Sequence, residues 1–271
     1  MNIRLSLRCS STTCVQFVGN ILKIIFYADF ILRPKKRYRI PGTWRPLLAT
    51  SRAKKIPRIV WQTNYTRRVT LSIYANYLFN RLIAPTYEFR FLDDAECEEF
   101  VTSRYPAEVA AAYNGLQIGA AKADLWRVLV LLTHGGVYLD ADATFSWSPE
   151  SFLEADQTEL FVRESRGRLT NYFFASVAGH PLLAAIAGKI VENIQINKIT
   201  SVYDLTGPTV VEELAGTALV KIEPSRSVCR QGQLTRKVFQ YPDNLRGYWA
   251  VEQIRRPIVN SPDASPGVLS S

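Results

Sequence analysis

Histidine is nearly missing from this chain: His134 and His180 are the two in 271 residues. Cysteine is scarce as well, with Cys9, Cys14, Cys97 and Cys229 scattered and no C-x-x-C pair among them. A zinc centre of the Cys/His type needs more ligands than these, at closer spacing. A clean membrane-spanning run is also lacking. The most apolar stretch, residues 15–32, is interrupted by Gln16, Asn20, Lys23 and Asp29, whereas a spanning helix wants about 20 predominantly apolar residues. Acids are almost absent from one end. Residues 1–58 hold thirteen Lys and Arg against Asp29 alone, a net +12, and the other 213 residues carry −3. The whole-chain charge of +9 therefore belongs to an N-terminal arm and not to the body. The acidic body argues against a nucleic-acid binder.

What the arm does have is VQFVGNILKIIFYADFIL followed at once by Arg33, Lys35, Lys36, Arg37 and Arg39. An apolar helix with a polybasic flank suits an anionic membrane surface. Three readings stand: a helix lying in the membrane interface, a signal-anchor that crosses it, or a helix packed on the body. No small-residue cleavage site precedes the basic run, so a removed signal peptide is disfavoured. Membrane association is expected, on the cytoplasmic face in a bacterium or on a Golgi-like membrane in a eukaryote. Pro34, Pro41, Gly42 and Pro46 mark residues 33–55 as a linker.

The chain as a whole has globular composition, 47% hydrophobic and 21% charged. IPRIVWQT, residues 56–63, reads as a first buried strand, and residues 70–82 as a helix. YEFRFLDD, residues 87–94, alternates as a strand does, and Asp93 or Asp94 caps the helix that follows. The acids Asp93, Asp94, Glu96, Glu98 and Glu99 are read as its solvated start. Helices are predicted over 105–116 and from Gly119 to Thr133, the latter ending at Gly135-Gly136. A strand over 137–145, strands at 159–163 and 171–178, and a helix over 181–196 opened by Pro181 follow. Strands alternating with helices predict an α/β fold with a mainly parallel central sheet. The expected divisions are 1–55 for the arm and linker, 56–256 for the catalytic domain, and a disordered tail over 257–271.

The chemistry gathers in ADLWRVLVLLTHGGVYLDADATF, residues 123–145. Alternation along the last strand places Asp140 and Asp142 on one side. Two adjacent carboxylates repel unless a cation sits between them or one is protonated. Ligand sites of α/β sheets lie beyond the carboxyl ends of strands. Asp140 and Asp142 are thus the candidate catalytic and metal-holding pair, for Mn²⁺ or Mg²⁺ completed by a diphosphate. Asp124 and Arg127 share a face of the preceding helix, whose other residues are so apolar that it must be buried. A buried Asp and Arg need partners, and a sugar and a ribose could supply them. His134 sits where it would favour the helix C-terminus electrostatically and is not read as catalytic.

These residues resemble glycosyltransferase family 32, the sugar transferases with a DXD motif. IPRIVWQT resembles its opening strand, AAKADLWRVLVLLTHGGVYLDADATF (120–145) its core, NYFFASVAGHPLL (171–183) the next segment and TGP (206–208) a later loop. The resemblance implies a GT-A fold and retaining transfer of a hexose from a UDP- or GDP-sugar to a glycan or lipid-linked acceptor. It implies that Asp142 ligates the metal directly and that Asp140 contacts the ribose and metal shell. Asp124 and Arg127 match the pair that binds donor sugar and ribose, and Asn171 and His180 a wall near donor and acceptor. Where members often read I-H-Q-x-W, this chain has Trp61 at the His position and Asn64 at the Trp position, so Trp61 or Tyr65 is the candidate to stack on the base. No His follows His180, where members often carry one. Two other readings are a metal-dependent phosphoesterase and an inactive transferase-like binding protein.

Overall fold

The computed structural model describes residues 19–240, 242 and 248–260. In chain order the elements are α1 (19–32), β1 (Tyr38–Arg39), β2 (Thr43–Trp44), β3 (Ile59–Thr63), β4 (Arg68–Val69), α2 (Leu71–Ile83), β5 (Glu88–Leu92), α3 (Asp94–Arg104), α4 (Ala107–Gly115), α5 (Gly119–His134), β6 (Gly136–Leu139) and β7 (Ala143–Phe145). There follow α6 (Pro149–Phe152), β8 (Glu159–Arg163), β9 (Leu169–Ser176), α7 (Pro181–Ile196), α8 (Val202–Leu205), α9 (Pro208–Ala215), β10 (Ile222–Pro224), α10 (Ser225–Val228), β11 (Cys229–Gln231), α11 (Lys237–Gln240) and α12 (Trp249–Arg255).

The central sheet has the order β10-β8-β9-β6-β3-β5-β2. Strands β3, β5, β6, β8 and β10 run one way, and β9 and β2 run against them. The sheet is therefore α/β and mainly parallel in strand direction, with antiparallel insertions. Both faces are covered, as parallel sheets require. Period-2 alternation divides the strands between two cores: Tyr138, Trp61, Phe174 and Phe161 join one apolar cluster with α5 and α7, while Val137, Leu139, Val60, Phe173 and Leu160 join the other with α2. The predicted burial of α5 is met: Leu125, Trp126 and Val128 to Leu131 are all buried.

Three expectations change. The linker over 33–55 contains strands: β1 pairs with β4, and β2 extends the sheet edge beside β5. Two-residue strands carry no periodicity, so only their partners reveal them. The strand expected over 137–145 is two strands, broken at residues 140–142 by a turn in which the Ala143 N–H donates to the Asp140 carbonyl at 2.9 Å. At the chain's far end, residues 257–260 are docked rather than disordered. Gln117 N donates to Ile258 O at 2.7 Å, Asn260 N to Gly115 O at 2.9 Å, and Ile258 and Val259 are buried. The rest of the expected tail lies outside the described residues. The acidic run over 93–99 does open α3, with Asp93 and Glu96 forming a reciprocal capping box.

The arm is not a free tether. Gly19, Lys23, Phe26 and Phe30 recur at helical spacing on the inner face of α1, and the rings of Tyr27 and Phe30 meet Phe239 at 4.7 and 5.8 Å. The opposite face carries Ile21, Ile24, Ile25, Ile31 and Leu32, all exposed. Among the described residues no helix is long and apolar enough to cross a membrane.

Candidate active site

The site is built where α5 hands over to β6. The connection is Gly135-Gly136, with φ of 66° and 109°. A Cβ at Gly135 would meet Ala178 N at 2.8 Å and Pro57 Cδ at 2.9 Å, and one at Gly136 would meet Ile59 O at 2.7 Å. Glycine is therefore demanded twice, by backbone conformation and by close approach. Four residues of strand later, β6 delivers Asp140 to the carboxyl end of the sheet, next to the end of β3.

The turn at 140–142 is pinned from α2 by two buried asparagines one helical turn apart. Asn76 Nδ2 donates to the carbonyls of Ala141 and Ala143, both at 2.9 Å, and its Oδ1 accepts from Thr144 Oγ1 at 2.6 Å. Asn80 Nδ2 donates to Ala143 O at 2.9 Å and its Oδ1 accepts from Phe145 N at 2.8 Å. With its backbone so held, the turn aims both carboxylates at one point: Gln231 Nε2 donates to Asp140 Oδ2 at 2.9 Å and to Asp142 Oδ1 at 3.2 Å. The juxtaposition expected from strand alternation is present, but a turn produces it.

Below this pair lies a charged cluster. Arg127 Nη2 stands 3.1 Å from Asp124 Oδ1 and 3.3 Å from Asp140 Oδ1, and its guanidinium lies 4.6 Å over the Tyr138 ring. Its Nη1 also donates to the Asn171 carbonyl. Tyr138 Oη donates to Asp140 Oδ1 at 2.6 Å. Asp124 accepts from Asn171 Nδ2 at 2.7 Å and from Thr206 Oγ1 at 2.9 Å. Burial works against the charge on Arg127, but Asp140, Tyr138, Asp124 and Asp142 hold its pKa above the ordinary value. Burial raises Asp124 to about 7 against the pull of Arg127 and Thr206. Burial and then the Asp140 charge raise Asp142 to about 7, against hydrogen bonds from Gln240 and Gln231. A pair that resists full ionisation in this way is one a cation would stabilise.

The donor set suits a hard divalent ion: two carboxylates whose oxygens already converge. Among the described residues no group of three or more His, Cys, Asp or Glu side chains gathers to hold a metal. The rest of the coordination would have to come from a ligand and water, as is usual for Mg²⁺ beside phosphates. A cavity of about 630 Å³ opens against Asp142 and Gln231, and Lys23 and Tyr27 of α1 and Arg236 and Lys237 also line it.

Of the sequence candidates, the structure thus brings together Asp124, Arg127, Asn171, Asp140 and Asp142. Tyr65 stands at the surface just beyond β3, at the same sheet edge as Asp140. Trp61 points elsewhere. It is buried against Trp126, stacks on His134 at 5.4 Å, and donates from Nε1 to Gly135 O at 2.9 Å. Strand alternation places it in the core beside Tyr138, so it is not beside Asp140. His180 is the N-cap of α7, accepting from Leu182 N at 3.3 Å and lying 3.2 Å from Glu159. His134, in the last turn of α5, has its pKa lowered by burial and by Arg104 and Arg90, which weakens its electrostatic contribution at the helix end.

Residues 52–159 match the family described as the glycosyltransferase sugar-binding region containing a DXD motif. Over this stretch the chain is similar to the DXD-motif glycosyltransferases. It is 27% identical over 164 residues to an initiation-specific alpha-1,6-mannosyltransferase of Schizosaccharomyces pombe, covering 51% of this chain and 40% of the relative. It is 30% identical over 195 residues to an initiation-specific alpha-1,6-mannosyltransferase of Candida albicans, covering 59% and 50%. The chain thus spans about half the length of these relatives. Among solved structures, the PaToxG glycosyltransferase aligns with a TM-score of 0.49 at 18% identity, over 79% of this chain and 82% of that one. The family match includes Asp124, Arg127, Asp140 and Asp142 and stops short of Asn171, Thr206 and Gln231. Asn171 is named through the resemblance, whereas Thr206 and Gln231 have no motif-like spacing to betray them, although the loop of Thr206 falls in a segment that resembles the family.

Proposed function

We propose that this chain is a metal-dependent, retaining hexosyltransferase of GT-A type that uses a UDP- or GDP-sugar and acts on a glycan or lipid-linked acceptor. One observation carries the reading. The oxygens of Asp140 and Asp142 converge at the carboxyl end of β6, above a buried Asp124–Arg127–Asn171 cluster and beside a cavity of nucleotide size. Asp142 and Asp140 would hold Mn²⁺ or Mg²⁺. When bound, the ion neutralises charge developing on the departing phosphate. Arg127 positions Asp140 and Asp124, and the Tyr138 hydroxyl fixes which way the Asp140 carboxylate turns. Asp124, held by Asn171 and Thr206, forms the floor against which the donor sugar rests. Tyr65, exposed just beyond β3, would be the aromatic that meets the base.

The outer face of α1 supports membrane association. Ile24, Ile31 and Leu32 are 72, 72 and 80% exposed, and Arg33, Lys35 and Lys36 follow in the exposed stretch. An aliphatic stripe flanked by cations is matched to an anionic bilayer surface.

The test is a donor-hydrolysis and transfer screen over UDP- and GDP-sugars with Mn²⁺. Turnover with one donor, lost in Asp142→Asn while the thermal melt is retained, is the expected result. Undiminished turnover in Asp142→Asn would refute the metal assignment. Release of sugar phosphate in place of a glycoside would favour the phosphoesterase.

A further inference from the structure

The cavity beside Asp142 has a wall that the family match does not include. Lys23 comes from α1, and Arg236 and Lys237 come from the segment around α11, on either side of the matched 52–159. Lys23 Nζ donates to Gly232 O at 2.7 Å and Lys237 Nζ to Tyr248 Oη at 2.6 Å. Neither partner carries a charge. Among the described residues none of the three cations is paired with a carboxylate. Lys23 is also disfavoured where it sits, first by burial and then by the charge of Arg236.

Three like charges around one cavity, which Asp142 also lines without pairing with any of them, cost energy in the absence of an anion. The chain nevertheless holds them there with some care. Gly19 lets α1 approach so closely that a Cβ would stand 2.4 Å from Gln233 O, and Tyr27 and Phe30 clamp Phe239. The contacts that fix α1 are thus the contacts that present Lys23 to the cavity. The acidic edge of the same cavity, Asp142, is the side that takes a cation.

We propose that Lys23, Arg236 and Lys237 form the phosphate-binding wall of the donor cavity, so that α1 is a working part of the active site as well as its membrane-facing surface. The inference rests on the donor reading above and names residues for it. A diphosphate would lie between the wall and the metal-holding pair, its negative oxygens shared by both.

The experiment is calorimetric titration of the full chain with UDP, GDP and inorganic pyrophosphate in the presence of Mn²⁺. Arg236→Gln, Lys23→Gln and the conservative Lys23→Arg are compared with wild type. Arg236 is exposed, so its variant is not expected to disturb folding, and it serves should Lys23→Gln fail to fold. Loss of one charge-assisted contact is expected to weaken each ligand about tenfold, pyrophosphate included, with Lys23→Arg restoring most of the affinity. The dependence of affinity on salt should flatten in parallel. If Arg236→Gln and a folded Lys23→Gln both bind all three ligands within about twofold of wild type, the wall assignment is overturned. If such unchanged binding persists while Asp142→Asn abolishes it, only the wall is wrong. If wild type binds none of the three, the donor reading falls as well.

Discussion

Asn76→Ala tests whether α2 is what aims the metal-holding pair. The side chain is fully buried and makes three hydrogen bonds, to Ala141 O, Ala143 O and from Thr144 Oγ1. Truncation leaves Ala143 O with its second donor, Asn80, but strips Ala141 O and Thr144 Oγ1. A buried group left without a partner costs about 1–3 kcal/mol, so two put the loss at about 2–6 kcal/mol. The lower half of that range is favoured, because Ala141 is not fully buried and water can reach it. Urea unfolding followed by fluorescence measures this directly. The functional loss should be larger than the stability loss at temperatures where the variant is folded. With the turn released, Asp142 no longer shares a fixed point with Asp140, and a displacement of about 1 Å can cost about 100-fold in rate. Mn²⁺ affinity should fall with it. A variant destabilised by less than about 1 kcal/mol, with Mn²⁺ affinity and turnover intact, would show that the asparagine ladder does not organise the turn.

Arg127→Met removes the cation that lies against Asp124 and Asp140, leaving buried carboxylates uncompensated, and should destabilise by about 3–5 kcal/mol in chemical denaturation; a loss under about 1 kcal/mol would mean the cluster is not electrostatically bound together. Arg127→Lys keeps the charge but not the forked contacts and should recover stability more than activity. Mn²⁺ affinity should rise with pH up to about 7 and level off above it, because the ion must displace the proton that Asp142 holds below that value; a pH-independent affinity by calorimetry would contradict the shift. The same carboxyl makes the metal-free protein less stable as pH rises. Its folded value of about 7 lies above the ordinary 3.8, so between the two the folded state holds the extra proton and its advantage is lost as pH climbs. Comparing urea midpoints at about pH 5 and about pH 7.5 with chelator present reads the joint effect of Asp142 and Asp124, both raised by burial to about 7, while Glu150, held at about 2 by Arg58, Thr86 and Lys54 despite the opposing effect of burial, is ionised throughout that window. A higher midpoint at the upper pH would reverse the argument.

The candidate site was legible wherever its cause was local. Asp124 and Arg127 share a face because the helix repeats every 3.6 residues, and nothing distant can alter that. The Gly-Gly turn and the buried strand before Asp140 announce themselves by composition and hydropathy alone. Trp61 shows where locality ends. Its identity suggested a nucleotide-stacking ring, but which face of β3 it occupies depends on α5 packing there and on Tyr138 pairing beside it across the sheet. The two-residue strands β1 and β2 were likewise illegible, since each is defined only by its partner.

What the amino-acid order determined by itself is the α/β succession, the helix over 181–196 to the residue, a cap at Asp93 or Asp94 and the position of the acidic pair, all of which follow from interactions within a few residues along the chain. What tertiary structure alone decided is how that pair becomes a site. Gln231 meets Asp140 across 91 residues of sequence, Thr206 meets Asp124 across 82, and Asn76 meets Ala141 across 65. The arm, which reads as a detachable basic extension, becomes a cavity wall because Phe239, more than two hundred residues away, supplies the ring its inner face packs on. Hydrogen bonds and ring contacts act over a few ångströms in space and are indifferent to separation along the chain, so no local pattern records them.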